Sequence, residues 1–222
     1  MSNGARRWPH PWEPEPRWPA LVAVLSVGGI YAALPRYLVL GPRWLFPGVV
    51  VGLLVPAVVT HVHGHHVLNR FFGFMVNVAV TACLVVSVGL LMRGLSDKDK
   101  AESATELLLS AVLLWGSNVL VFALWYWRLD AGGPHGREAR PGHPDGAFLF
   151  PQMTLPPGAE SSDECWSPNF IDYLFLAFNT STAFSPTDVP VLARWAKVLM
   201  MLQSLISLTT LALLAARAVN TL

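Results

Sequence analysis

Charge and cysteine are what this chain has least of. Only 13% of its residues are charged and the net charge is +1 without a basic patch, which argues against a nucleic-acid partner. Its two cysteines, Cys83 and Cys165, fall in an apolar run and in a polar loop, a placement that argues against an intrachain disulfide. Cys165 is left as either a free thiol or a link between subunits. No phosphate loop, nucleophile elbow or zinc-protease string occurs, so no enzymatic role and no cofactor are expected. A cleavable leader is not expected either, because Arg6-Arg7 is followed by a polar stretch rich in Pro and Trp (Trp8, Pro9, Pro11, Trp12, Pro14, Pro16, Trp18) instead of a short apolar core.

Apolar residues fill the space that charge leaves. They make up 53% of the chain, and the mean hydropathy is +0.46. Five apolar runs have about the length of a spanning helix: Pro19 to Leu40, Trp44 to His61, Phe71 to Met92, Ala104 to Trp127 and Trp195 to Val219. Trp125-Tyr126-Trp127 and Trp195 suit headgroup depth, where Trp is enriched. The expected fold is all-α integral membrane, with about five transmembrane helices in a lipid bilayer. Residues 1–18 form a polar segment, 19–103 hold three helices, and 104–222 form a second module.

That second module has an order of its own. Phe170 to Phe178 is apolar but too short to cross a bilayer, whose core needs ~20 helical residues. A hydroxyl-rich run with a proline follows, Asn179 to Asp188, and such backbone is tolerated at membrane depth only inside protein or beside water. A long apolar helix comes next. The reading is an outer helix 104–127, a connecting turret 128–168, a short helix 169–181 begun by Ser167-Pro168, a loop 182–188 and an inner helix 195–220.

Thr180-Ser181-Thr182-Ala183-Phe184-Ser185-Pro186-Thr187-Asp188 and the later run Leu205 to Arg217 resemble the two-helix pore module of potassium channels, with its filter string T-L-T-T-V-G-Y-G-D. Thr180, Thr182, Asp188, Leu205, Ile206, Leu211 to Leu214, Ala216 and Arg217 fall on matching positions. The whole chain is also similar to a group of actinobacterial membrane proteins that carry the same Ala-Phe-Ser-Pro-Thr-Asp string. The resemblance implies a pore helix, a filter loop, a homotetramer, permeant inorganic ions as ligands, and the plasma (inner) membrane of a bacterium.

The departures are informative. Val-Gly-Tyr-Gly has become Phe184-Ser185-Pro186-Thr187, without either signature glycine. A stack of carbonyl sites needs left-handed backbone at alternate residues, which glycine takes freely and other residues take at ~1–2 kcal/mol each. Pro186 also removes an N–H that could brace the loop. Strong selection of potassium over sodium is therefore not expected. Thr182, Ser185 and Thr187 are expected to line a wider mouth, with Phe184 either at the constriction or packed behind the loop. Asp188 either forms a cation-favouring ring or caps the next turn. Ser207 stands where the resemblance places a hinge glycine and Gln203 where it often places a glutamate. Thr210 either lines a cavity or packs between helices.

The turret carries three arginines against six acidic residues, Asp130, Glu138, Asp145, Glu160, Asp163 and Glu164, and reads as a solvated loop or an acidic vestibule. Basic residues divide almost evenly between the two sides, so charge does not orient the chain. No helix carries the regularly spaced arginines of a voltage sensor. Asn77, Thr81 and Asn118 are expected to bond to neighbouring helices. His61, His63, His65 and His66 are the metal candidates, but the tract reads first as a plain polar loop and otherwise as a proton-sensitive element. The functional expectation is a weakly selective, cation-favouring channel subunit. The alternatives are a non-conducting scaffold that keeps the pore fold and a transporter responding to metal through the histidine loop.

Overall fold

A computed structural model of the chain describes residues 15–96, 104–138, 146–154, 166–185 and 188–220. The helices are α1 (Trp18–Ala33), α2 (Leu45–Val62), α3 (His66–Ser96), α4 (Ala104–Leu129), α5 (Pro134–Glu138), α6 (Phe170–Thr182) and α7 (Arg194–Asn220). Among the described residues the only extended pairing is an isolated bridge between Phe148 and Val191. Among the described residues four helices, α2, α3, α4 and α7, are long and apolar enough to cross a membrane.

The expected first span, Pro19 to Leu40, is shorter in the structure, because α1 stops at Ala33. Pro35 is the cause. It pushes Leu34 into extended backbone (ψ 146°), as a residue before proline prefers. A single 3-10 turn follows, and the Leu40 N–H donates to the Tyr31 hydroxyl at 3.1 Å, closing the path to α2. Pro56 lies inside α2; nearby, the Asn69 side chain of α3 donates to the Ala57 carbonyl at 2.6 Å and ties the two helices where they meet.

Contacts fix which ends lie together. Arg17, just before α1, donates to His61 at the end of α2 (3.0 Å) and to Glu138 of α5 (2.9 Å). Phe74 of α3 meets Trp125 of α4 with ring centroids 5.2 Å apart. Ser87 near the end of α3 donates to the Leu38 carbonyl at 2.9 Å. The chain therefore starts α1, α3, α6 and α7 at one end of the bundle, here called the polar end, and finishes α2 and α4 there. At that end Ala131 (φ 49°), Gly132 and Gly133 (both φ 82°) turn the chain sharply after α4. A Cβ on Gly133 would stand 2.6 Å from the Arg128 carbonyl oxygen, so this position requires glycine. The turn folds α5 back until Arg137 donates to the carbonyls of Trp127 (2.9 Å), in the last turn of α4, and of Asp130 (3.0 Å) just beyond it.

Helix α4 is the hub. It packs against α1, α3, α6 and α7, and Val121, Ala123, Leu124 and Tyr126 along it are fully buried. The outer surfaces of α2, α3 and α7 expose Val55, Val58, Phe74, Val78, Val198, Leu205 and Leu208, the apolar dress that a bilayer requires and water would not favour.

Candidate functional site

The site is built around α6. Asn169, and not the expected Ser167-Pro168, starts this helix: its side-chain oxygen accepts from the Ile171 N–H at 2.8 Å, and Asp172 accepts from the Asn169 N–H at 2.8 Å. Two of the orphan donors of the first turn are thereby satisfied. Phe170, Tyr173, Leu176, Ala177, Thr180 and Ser181 are buried, while Ile171, Phe175 and Phe178 are exposed. This is the three-and-four spacing of a helix with one inward face.

Length and neighbours give its course. Phe170 meets Trp127 at a centroid distance of 5.9 Å and Phe178 meets Trp115 at 5.7 Å. Along α4 those partners are separated by about 18 Å at 1.5 Å per residue. Thus α6 runs antiparallel to α4 from the polar end towards the middle of the bundle and stops. Ala183 is its C-cap, and Phe184 takes a left-handed backbone, φ 55°, at a place where glycine is usual. By Val191 the chain is back at the polar end, where Leu149 N–H donates to the Pro190 carbonyl (3.0 Å) and Leu192 N–H to the Ala147 carbonyl (2.8 Å).

Both ends of α6 are anchored by polar side chains. At its start, the Tyr173 hydroxyl donates to the buried Asp130 carboxylate at 2.7 Å, and Ala147 N–H donates to the same carboxylate at 2.5 Å. Arg137 covers the Tyr173 ring at 5.1 Å and pairs with Glu15 at 2.7 Å. At its finish, Gln203 of α7 donates through one nitrogen to the Ala177 carbonyl (2.7 Å) and to Ser181 Oγ (2.8 Å). The Gln203 side-chain oxygen accepts from the Tyr126 hydroxyl at 2.5 Å. Asn118 adds a layer by donating to the Gln203 carbonyl (3.1 Å) and to Ser207 Oγ (2.9 Å).

These contacts revise several expectations. Gln203, Ser207 and Thr210 are all buried between helices, so of its two alternatives Thr210 packs within the chain, bonded to its own helix at Ile206. Thr182 belongs to α6 and not to the loop, with its hydroxyl on the Phe178 carbonyl at 3.0 Å. Thr180 is likewise buried, its hydroxyl on the Leu176 carbonyl at 2.8 Å. Ala183, Phe184, Ser185 and Asp188 are exposed, and at 44% exposure the Phe184 ring is not packed behind the loop in the single chain. Pro186 and Thr187 lie outside the described residues, as do Cys165 and the acidic Asp145, Glu160, Asp163 and Glu164. Asp130 and Glu138 are not solvated turret charges: Asp130 is fully buried and Glu138 pairs with Arg17.

The histidine loop gathers no metal centre. His61, His63, His65 and His66 are all exposed, and among the described residues no group of three potential ligands is placed to hold an ion. His61 instead accepts from Arg17, and the His66 ring meets His135 at 4.5 Å. Of the polar residues inside spans, Asn118 and Thr81 bond across helices as expected, Thr81 accepting from Trp125 at 2.7 Å. The Asn77 side chain is buried without a partner. Tyr126, Asp130 and Tyr173 are the site residues that sequence reasoning missed. A lone carboxylate at the end of an apolar helix was the available signal for Asp130, since a buried charge must find partners. No family model, no curated protein and no solved structure matches this chain.

Proposed function

We propose that the chain is the pore-forming subunit of a homotetrameric channel in a bacterial plasma membrane, passive, cation-favouring and weakly selective, with α6 and the return segment acting as a re-entrant pore loop. The observation that carries this reading is a half-length helix that stops at mid-bundle, turns at Phe184 and goes back to the end it came from, fastened at both ends by buried polar side chains. Irregular backbone at that depth needs protein or water around it. Four copies around an axis would supply both.

The exposed residues fit that role. Phe184 and Asp188 are exposed, where an axis or a neighbouring copy could meet them. A ring of Asp188 carboxylates would favour cations, and so would the partially negative C-terminal end of α6. Weak selectivity is expected from the sequence, since positions 184–187 are Phe, Ser, Pro and Thr and none is glycine, the residue that takes left-handed backbone freely. A stack of carbonyl sites needs more than one such residue per subunit.

Single-channel recording of the purified protein in a planar bilayer tests the reading, first under asymmetric KCl and then with K⁺ opposed to Na⁺, with Phe184→Ala alongside. Openings that the substitution alters, with a K⁺/Na⁺ reversal potential near zero, are the expected result. Strong potassium preference would overturn the selectivity argument. Silence from both proteins as verified tetramers would replace the channel with the non-conducting scaffold.

A further inference from the structure

A second cationic locus lies on the other flank of α4, away from the pore loop. The Arg128 guanidinium rests on the backbone of Gly73 in α3, so closely that a Cβ there would stand 1.9 Å from Nη1 and 2.4 Å from Cζ. It also lies 5.6 Å from the Trp127 ring centre. Its Nε is buried without a hydrogen-bond partner, and no described residue bonds or pairs with the guanidinium. The carboxylates of the polar end are already engaged: Glu138 by Arg17, Glu15 by Arg137, and Asp130 by Tyr173 and Ala147.

Arg70 lies at the same level of the bundle. On α3 it is one turn from Phe74, and on α4 Arg128 is one turn from Trp125. Because Phe74 and Trp125 touch at 5.2 Å and the helices run antiparallel, both arginines lie one turn beyond that contact, towards the polar end. Arg70 is exposed and likewise has no partner among the described residues. Below the pair, Phe71, Phe74 and Val78 form an exposed apolar strip on α3.

We infer that Arg70 and Arg128 bind the phosphate of an anionic phospholipid at headgroup depth, with an acyl chain along Phe71, Phe74 and Val78. A guanidinium fork matches phosphate oxygens in a bidentate way, and a half-buried cation whose protein neighbours supply no anion needs one from outside. The absence of a Cβ at position 73 lets the guanidinium lie close against α3. This site is independent of whether the chain conducts.

The test uses the full chain in detergent, with lipid binding read by native mass spectrometry and by thermal unfolding against phosphatidylglycerol, phosphatidylcholine and inorganic phosphate. Wild type is expected to prefer phosphatidylglycerol. Arg128→Gln is expected to weaken that binding at least tenfold, the worth of one charge-assisted hydrogen bond, with only partial recovery in Arg128→Lys, which keeps the charge but not the fork. Arg36→Gln, at the opposite end, should change nothing. Arg70→Gln touches no packed contact, so it keeps the proposal testable if Arg128→Gln fails to fold; binding as tight as wild type in Arg70→Gln would overturn the site. Equal binding of the two lipids would overturn it as well. A response to inorganic phosphate matching that to phosphatidylglycerol, and lost in Arg128→Gln, would overturn the lipid assignment in favour of a soluble anion.

Discussion

Gln203 is where the anchoring of α6 is most exposed to a single change. Its amide makes three hydrogen bonds, to Ala177, Ser181 and Tyr126, at 2.7, 2.8 and 2.5 Å. Inside membranes such bonds average about 0.6 kcal/mol each, giving roughly 2 kcal/mol for the set. Gln203→Leu keeps a similar side-chain size and removes all three. It also leaves the Tyr126 hydroxyl buried without an acceptor, an added cost of about 1–3 kcal/mol. The expected loss is therefore about 3–5 kcal/mol. Tyr126→Phe should cost about 1 kcal/mol, and the double variant less than the sum, because removing both partners leaves no orphan. A double-mutant cycle read by reversible SDS unfolding should show favourable coupling of about 1–2 kcal/mol. Coupling indistinguishable from zero, or a Gln203→Leu protein as stable as wild type, would refute the claim that this amide fastens α6.

Phe184→Gly should stabilise the protein by about 1 kcal/mol, since glycine takes φ 55° without strain, whereas Phe184→Val should destabilise it; thermal unfolding of the three proteins decides. Tyr173→Phe takes away one of the donors to buried Asp130 and should cost about 1–3 kcal/mol, read by the same SDS titration. Glu15→Gln leaves Arg137, only 5% exposed, without a charged partner and should cost about 2–4 kcal/mol, a loss that Arg137→Met should reproduce without additivity.

The long helices were legible because an apolar run of spanning length has few other uses, and the short α6 because Phe170 to Phe178 is bounded by polar residues. The end of α1 was misread although Pro35 was in plain view: an apolar run gives the length of a segment but not the residue at which its helix stops. The face each helix turns inward was not legible. Polar residues are scattered through α7 (Gln203, Ser204, Ser207, Thr209 and Thr210), so sequence alone does not single out Gln203, Ser207 and Thr210, and what Gln203 and Ser207 bond to lies on other helices, at Ala177, Ser181 and Asn118. The charged cluster at the polar end was hidden for a different reason. Arg17 meets Glu138 across 121 residues and Asp130 meets Tyr173 across 43, so each charge looked solvated until the chain was folded.

Biosynthesis gives the Gln203 anchor a further meaning. Residues are made in order, and Ser181 precedes Gln203 by 22 positions. When α6 leaves the ribosome, α4 already waits to receive its buried face, yet the amide that fastens its far end has not been made. Too short to be held by lipid alone, α6 must rest in a provisional position until α7 follows it into the bilayer. Helix α7, made after α6, is thus the one that finishes the site, and a chain interrupted before Gln203 would carry an α6 fastened at its start and loose at its finish.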